Sequence, residues 1–343
     1  MKKSLIALAV LAASGAAMAQ SSVTLFGIVD TAVGYVDNAN AAGDSVYGLS
    51  TSGNATSRLG FRGVEDLGGG LKAGFWLEGE VFGDTGGSSF NFARRSTVSL
   101  MGGFGEVRMG REQTPSYSKT SSYDLFGQTG IGQFMGWTGN WYGIDGDSGN
   151  AVRSSNMISY YTPNFSGFTA GLGYGFDEQT TGKAGRYIGG YAAYDNGPLS
   201  VALSYDERNV AANFDRNTLT LAGSYNLNVV KLNAIVQQTK DDVIGTDRKV
   251  NAYALGASAP VGAGEVKLQY AMYDQKAIDS KAHHISLGYV HNLSKRTAVY
   301  GTVSYMDNKD ASSLGLAAKN LNTAGPGAGE SQTGVQVGVR HSF

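Results

Sequence analysis

From Val23 onward, apolar and polar side chains alternate in short segments. In the first, Val23, Leu25, Val29, Val33 and Tyr35 share one face, while Thr24 and Asp30 lie on a mixed opposite face. Leu199, Val201, Leu203 and Tyr205 alternate with Ser200, Ala202, Ser204 and Asp206. Val266, Leu268, Tyr270 and Met272 alternate with Lys267, Gln269, Ala271 and Tyr273. Side chains of a strand point alternately to opposite faces, so a period of two reads as a strand with one apolar face. Turn signals rich in Gly, Asn and Pro punctuate the segments, as at 66–70, 102–105, 196–198 and 260–264. The pattern predicts sixteen strands: 23–36, 58–67, 71–82, 92–102, 106–112, 152–162, 168–176, 187–195, 199–206, 218–225, 231–238, 249–259, 265–273, 282–291, 296–306 and 333–343.

The alternation stops over 114–151, between the fifth and sixth strands. Glycines there share the space with Tyr117, Tyr123, Phe126, Phe134, Trp137, Trp141 and Tyr142. A structureless loop of this length is uncommon unless it has a task. We read 112–151 as a constriction loop folded into a cylinder built by the strands.

Two architectures suit one-sided strands. A soluble sandwich buries the apolar faces, whereas a membrane barrel turns them to lipid and lines its lumen with the polar faces. Three features favour the barrel. Short turns alternate with longer polar connections such as 37–56 and 308–332. Aromatic residues, among them Tyr35, Tyr160, Phe168, Tyr205, Tyr225, Tyr289 and Tyr305, recur near the ends of apolar faces, as in an interfacial girdle. Sixteen strands also let the sheet close and remove its edges.

Composition agrees. Gly is 50 of 343 residues and Tyr 19, against 5 Pro and no Cys, and no stretch is long and apolar enough for a membrane-spanning helix of about 20 residues. Lys2-Lys3, an apolar run from Leu5 to Leu11 and Ala17-Met18-Ala19 read as a secretory signal peptide over 1–19. Export permits disulfides, so the absence of Cys means the fold closes without them. Taking Lys2 and Lys3 from the 27 basic residues, against 28 acidic ones, leaves a net charge of −3, which argues against a nucleic-acid partner. The expected fold is all-β: a 16-stranded antiparallel transmembrane β-barrel over 20–343, with its long third loop folded into the lumen.

Several stretches carry a resemblance. They are Gln20-Ser-Ser-Val-Thr-Leu-Phe-Gly-Ile-Val-Asp30, Ser57-Arg-Leu-Gly-Phe-Arg-Gly-Val-Glu-Asp-Leu-Gly-Gly-Gly-Leu-Lys-Ala73, Gly103-Phe-Gly-Glu-Val-Arg-Met-Gly-Arg-Glu-Gln-Thr-Pro115, Ser159-Tyr-Tyr-Thr-Pro163, Tyr194-Asp-Asn-Gly-Pro-Leu199, Leu293-Ser-Lys-Arg-Thr297 and Gly338-Val-Arg-His-Ser-Phe343. In this order along the chain they resemble the trimeric general porins of the Gram-negative outer membrane, beta-proteobacterial branch. The resemblance implies a sixteen-stranded barrel, a homotrimer embedded in outer-membrane lipid, and a third loop inside each lumen. Phe343, after Val335, Val337 and Val339, resembles the terminal signal read by barrel-assembly machinery, although His341 stands where an aromatic is often found.

Parity assigns the lumen side chains. Leu59 and Phe61 face lipid, so Arg58 and Arg62 face inward; Val98 and Leu100 face lipid, so Arg95, Thr97 and Ser99 face inward; Ile158 and Tyr160 place Arg153 inward. A slip of one residue flips each set and puts arginines in lipid at about 2–4 kcal/mol each near the midplane. Lys72, Glu78, Glu80, Glu112 and Arg340 are further lumen charges, and Arg94, with lipid parity, is expected near the rim. Arg58, Arg95 and Arg153 form a cluster that the resemblance places at the constriction, facing the third loop. Asp124 is the expected counter-charge there, ahead of Glu112, Asp145 and Asp147. Opposed charges across a narrow aqueous gap create a transverse field that sorts ions.

No chemistry of bond making is legible. Glu78 and Glu80 lie about 7 Å apart on one open face, not in the desolvated pocket general-acid work needs. His283 and His284 are adjacent and point to opposite faces, which suits no shared metal. G-x-S-x-G, H-E-x-x-H and P-loop motifs are absent. The expectation is a passive water-filled channel for ions and small hydrophilic solutes, without cofactor or metal. A channel that binds anions such as phosphate or organic acids is the alternative. Ion preference stays open: the arginines favour anions, while the net charge and the loop carboxylates favour cations.

Overall fold

A computed structural model describes residues 22–87, 89–139, 152–211, 213–243, 246–321 and 323–343. The expected leader 1–19 and Trp141, Tyr142, Asp145 and Asp147 fall outside these residues. One side of the wall is formed by β1 (Ser22–Val36), β2 (Val46–Thr51), β3 (Arg58–Gly68), β4 (Leu71–Glu80) and β5 (Arg95–Gly102). It continues through β6 (Gly105–Gln113), β7 (Arg153–Tyr161), β8 (Phe168–Gly175) and β9 (Tyr187–Asn196). The other side holds β10 (Leu199–Ala211), β11 (Phe214–Asn226), β12 (Lys231–Val243) and β13 (Thr246–Val261). Then come β14 (Gly264–Gln275), β15 (Ser280–Asn292), β16 (Thr297–Asp310) and β17 (Ser331–Ser342).

Each strand pairs antiparallel with its neighbours, and β17 returns to β1 in a seam from Ile28↔Ser342 to Val36↔Gly334. The last residue extends the seam, because Phe343 and Gly27 exchange backbone hydrogen bonds of 3.0 and 3.1 Å. β2 and β3 both pair with β1, β2 along Thr31–Val36 and β3 along Ser22–Ile28. They are two pieces of one wall strand, so the seventeen segments close a barrel of sixteen strands. The expected loop 37–56 therefore contains strand. The break between the pieces is held from β1: the buried Asp30 carboxylate accepts from the backbone N–H groups of Gly53, Asn54 and Ala55 at 3.2, 3.0 and 2.7 Å, and from the Tyr300 hydroxyl.

The apolar face is outside. On β10, Leu203 and Tyr205 are 50% and 51% exposed, whereas Ala202, Ser204 and Asp206 are 1%, 3% and 4% exposed. This inverts a soluble domain and matches a wall whose outer side meets lipid. The long connections leave one end of the barrel, together with the short links after β10, β12 and β14, and the other end carries short turns alone. The wall is uneven: β5 to β8 have 8 or 9 residues, while β10 to β17 have 12 to 16. The tall strands run past the expected ends because their tops are polar, as in Asp206–Ala211 of β10.

Candidate functional site

The third loop leaves β6 through a short helix, α1 (Pro115–Thr120), and a 3₁₀ turn at Ser121–Tyr123. It packs against the tall side of the barrel. Ser116 Oγ donates to Asp206 Oδ2 (2.8 Å), Lys119 pairs with Asp195 (2.8 Å), and Asn233 donates to the Tyr123 carbonyl (3.0 Å). Lys267 donates to the Leu125 carbonyl (2.9 Å), Tyr273 Oη accepts from Met135 N (3.0 Å), and Gln336 accepts from Ile131 N (3.1 Å). Phe134, Trp137 and Tyr117 form an edge-to-face chain beside Tyr273, with neighbouring centroids 5.4–5.7 Å apart. Burial pushes the Tyr117 phenol up to about 12, so it stays neutral.

The open passage runs along the other side, over β3 to β7. Three adjoining cavities, of about 680, 190 and 370 Å³, share lining residues along this wall. The first two share Arg58, Arg94, Gln113 and Arg153; the second and third share Trp76, Arg95 and Arg108. Arg94 Nε donates to Glu78 (2.7 Å), with Arg58 4.0 Å from the same carboxylate. Arg108 bridges Glu106 (2.7 Å) and Glu112 (3.0 Å), and Arg95 lies 3.8 Å from Glu112. Arg153 Nε donates to the Arg94 carbonyl at 2.8 Å. Among the described residues, the three cavities are bordered by eight basic side chains (Arg58, Arg62, Arg94, Arg95, Arg108, Arg111, Arg153, Lys319) and four acidic ones (Glu78, Glu80, Glu106, Glu112).

Arg58, Arg95 and Arg153 thus come together, with Glu78 and Glu112 among them. Glu80 meets Lys319 of the connection between β16 and β17, where Asn320 also donates to Asp84 (3.0 and 2.9 Å). This second loop lines the upper cavity through Ala317, Ala318 and Leu321. Arg62 lies lower, Lys72 sits near the short-turn end opposite Asp66, and Arg340 donates to Asn54 (2.7 Å) at the break in the second wall strand.

Two expectations need correction. Asp124 does not face the arginines. Its carboxylate is buried against the opposite wall and accepts from Gln269 Nε2 (3.0 Å) and from Gln128 N and Nε2 (2.7 and 2.9 Å). Burial raises its pKa, which these hydrogen bonds oppose. The loop residues that border the upper cavity, such as Gln128, Thr129 and Gln133, are neutral. Nor is Arg94 a rim residue: it precedes β5, so strand parity does not govern it, and its backbone N–H binds the Glu78 carbonyl (3.1 Å). Arg108 and Arg111 were not singled out from the sequence. Arg108 follows ordinary parity beside outward Met109. Arg111 lies at a register shift between Gly110 and Glu112, where Gly110 has φ +129°, and a glycine inside a strand pattern is the signal for such a bulge.

The Gram-negative porin family model matches residues 5–311. Outer membrane porin protein 32 of Delftia acidovorans is 67% identical over 353 residues, covering 100% of both chains. An outer membrane porin protein of Bordetella pertussis is 34% identical, again over 100% of both. The solved anion-selective porin from Comamonas acidovorans is 64% identical, with a TM-score of 0.91 over 94% of this chain and 100% of that one. A closed sixteen-stranded barrel with its apolar face outward, an internal loop and this similarity along the whole chain make one conclusion: the protein belongs to the Gram-negative porin family, as an integral protein of the outer membrane.

Proposed function

We propose that this outer-membrane diffusion channel favours small anions, and that the arginine wall sets the preference. The observation that carries this is the imbalance, among the described residues, of eight basic against four acidic side chains beside the passage, opposite the neutral loop residues Gln128, Thr129 and Gln133. A cleft lined by one sign of charge focuses potential and concentrates the opposite ion. The Comamonas relative, described as anion-selective, supports the same direction. The low part of the wall presents Val98, Leu100, Met109 and Ile158 outward; together with the resemblance to trimeric porins, this favours it as the contact among three copies. Phe343, at the seam, serves as the signal for the assembly machinery, and 1–19 as the leader.

The test is single-channel recording of the refolded protein in a planar bilayer under a KCl gradient. A reversal potential that favours chloride is expected, with insertion steps in threes. A potassium preference overturns the reading, and single steps overturn the trimer. Arg58→Ala with Arg95→Ala is expected to raise conductance and shift selectivity toward potassium; unchanged selectivity removes these residues from the role.

A further inference from the structure

Arg62 stands apart from its neighbours on the wall. Arg58, Arg94, Arg95 and Arg108 each lie within 4.0 Å of a glutamate, while Arg111 and Arg153 donate to the Ala93 and Arg94 carbonyls. Among the described residues the Arg62 guanidinium has neither a carboxylate within that distance nor a hydrogen bond. Aromatic rings surround it instead: its guanidinium carbon is 5.2 Å from the Phe26 centroid and 5.0 Å from that of Trp76. The two rings meet edge to face at 5.0 Å.

The strand register builds this arrangement. Arg62 lies directly opposite Trp76 on β4 and Thr24 on β1, and Phe26 lies opposite Gly60. A Cβ at Gly60 would come within 2.4 Å of Phe26 Cζ, so the absence of a side chain there makes room for the ring. Trp76 is fixed in turn: its Nε1–H donates to Glu78 Oε2 at 3.2 Å, and Arg95 lies over the same indole at 4.6 Å.

A carboxylate and an aromatic face both order a guanidinium, but with different electrostatic results. The carboxylate cancels the charge; the ring attracts the cation through its quadrupole and carries no net charge. We propose that Phe26 and Trp76 are positioning residues that hold Arg62 as an un-neutralised cation beside the 370 Å³ cavity. Arg62 then forms a second station for small anions, on the short-turn side of the constriction. This rests on the channel reading above, and its test separates from that reading.

The experiment is a double-mutant cycle on the refolded full barrel, reading the chloride-to-potassium permeability ratio from reversal potentials in KCl. Arg62→Gln is expected to lower the ratio about two- to fivefold, and Trp76→Leu to lower it on the same scale, that of one exposed cation–π contact. Because Trp76 also lies under Arg95, the double variant that closes the cycle is Arg62→Gln with Phe26→Leu, and it is expected to fall no further than Arg62→Gln alone. Trp76→Phe keeps a ring face and is expected to preserve most of the ratio; Phe26→Leu supplies a second route should Trp76→Leu fail to refold. An unchanged ratio in Arg62→Gln, additive losses in the double variant, or a Trp76→Phe ratio as low as that of Arg62→Gln overturns the clamp. A wild-type preference for potassium overturns the anion reading, whereas the cycle still decides whether Phe26 acts through Arg62.

Discussion

Arg94 and Arg95 are adjacent in sequence, yet both reach the passage. Alternation is a rule for residues inside a strand, and β5 begins at Arg95, so only one of the two obeys it. Parity was enough to place Arg58, Arg62, Arg95, Arg153 and Glu78 in the lumen. It failed for Arg94, which precedes the strand, and it does not carry across the register shift at Gly110 to Arg111. Glu78 is the acid around which several of these charges turn, since it holds Arg94 at 2.7 Å and accepts from Trp76. Glu78→Gln is expected to raise the chloride preference by exposing charge on Arg94 and Arg58, which reversal potentials in dilute KCl will show. A lower ratio in that variant contradicts the assignment.

At the level of elements, the position of the third loop was legible as a failure of alternation, but its orientation was not. Its partners, Gln269, Lys267 and Tyr273, lie more than a hundred residues away, and no local signal says which wall receives Asp124. Gln269→Leu removes a donor from that buried carboxylate, a loss of about 1–3 kcal/mol, and is expected to loosen the loop. Increased open-channel current noise with an intact barrel is the readout; a quiet channel means the remaining anchors suffice. The broken second wall strand depends on Asp30 in a different way. Asp30→Ala deprives three backbone N–H groups of their acceptor, at about 1–3 kcal/mol for each that stays unsatisfied. A lower unfolding temperature, followed by circular dichroism, is the expected result.

For the whole molecule, sixteen strands could be counted from the period of two and the turns. The seventeenth segment could not, because β2 is six residues beside a stretch rich in Gly and Ser. The height of the tall side was equally hidden, since its polar strand tops read as loop. The passage is aqueous and its charges face water, so its selectivity depends on ionic strength. The screening length is about 10 Å at 0.1 M salt and about 3 Å at 1 M. The chloride preference is therefore expected to weaken as KCl is raised over that range, and a constant permeability ratio would point to a fixed, desolvated binding site in place of a long-range field.

The seam between β1 and β17 has a consequence for how the ring closes. The first wall strand takes its last partner from far along the sequence, because its mate spans Ser331–Ser342. A product cut short before that point keeps two unsatisfied edges, which hydrocarbon does not tolerate. Ring closure is thus all or none: the strand farthest from β1 in sequence is also its neighbour in space, and without it the sheet keeps two open ends.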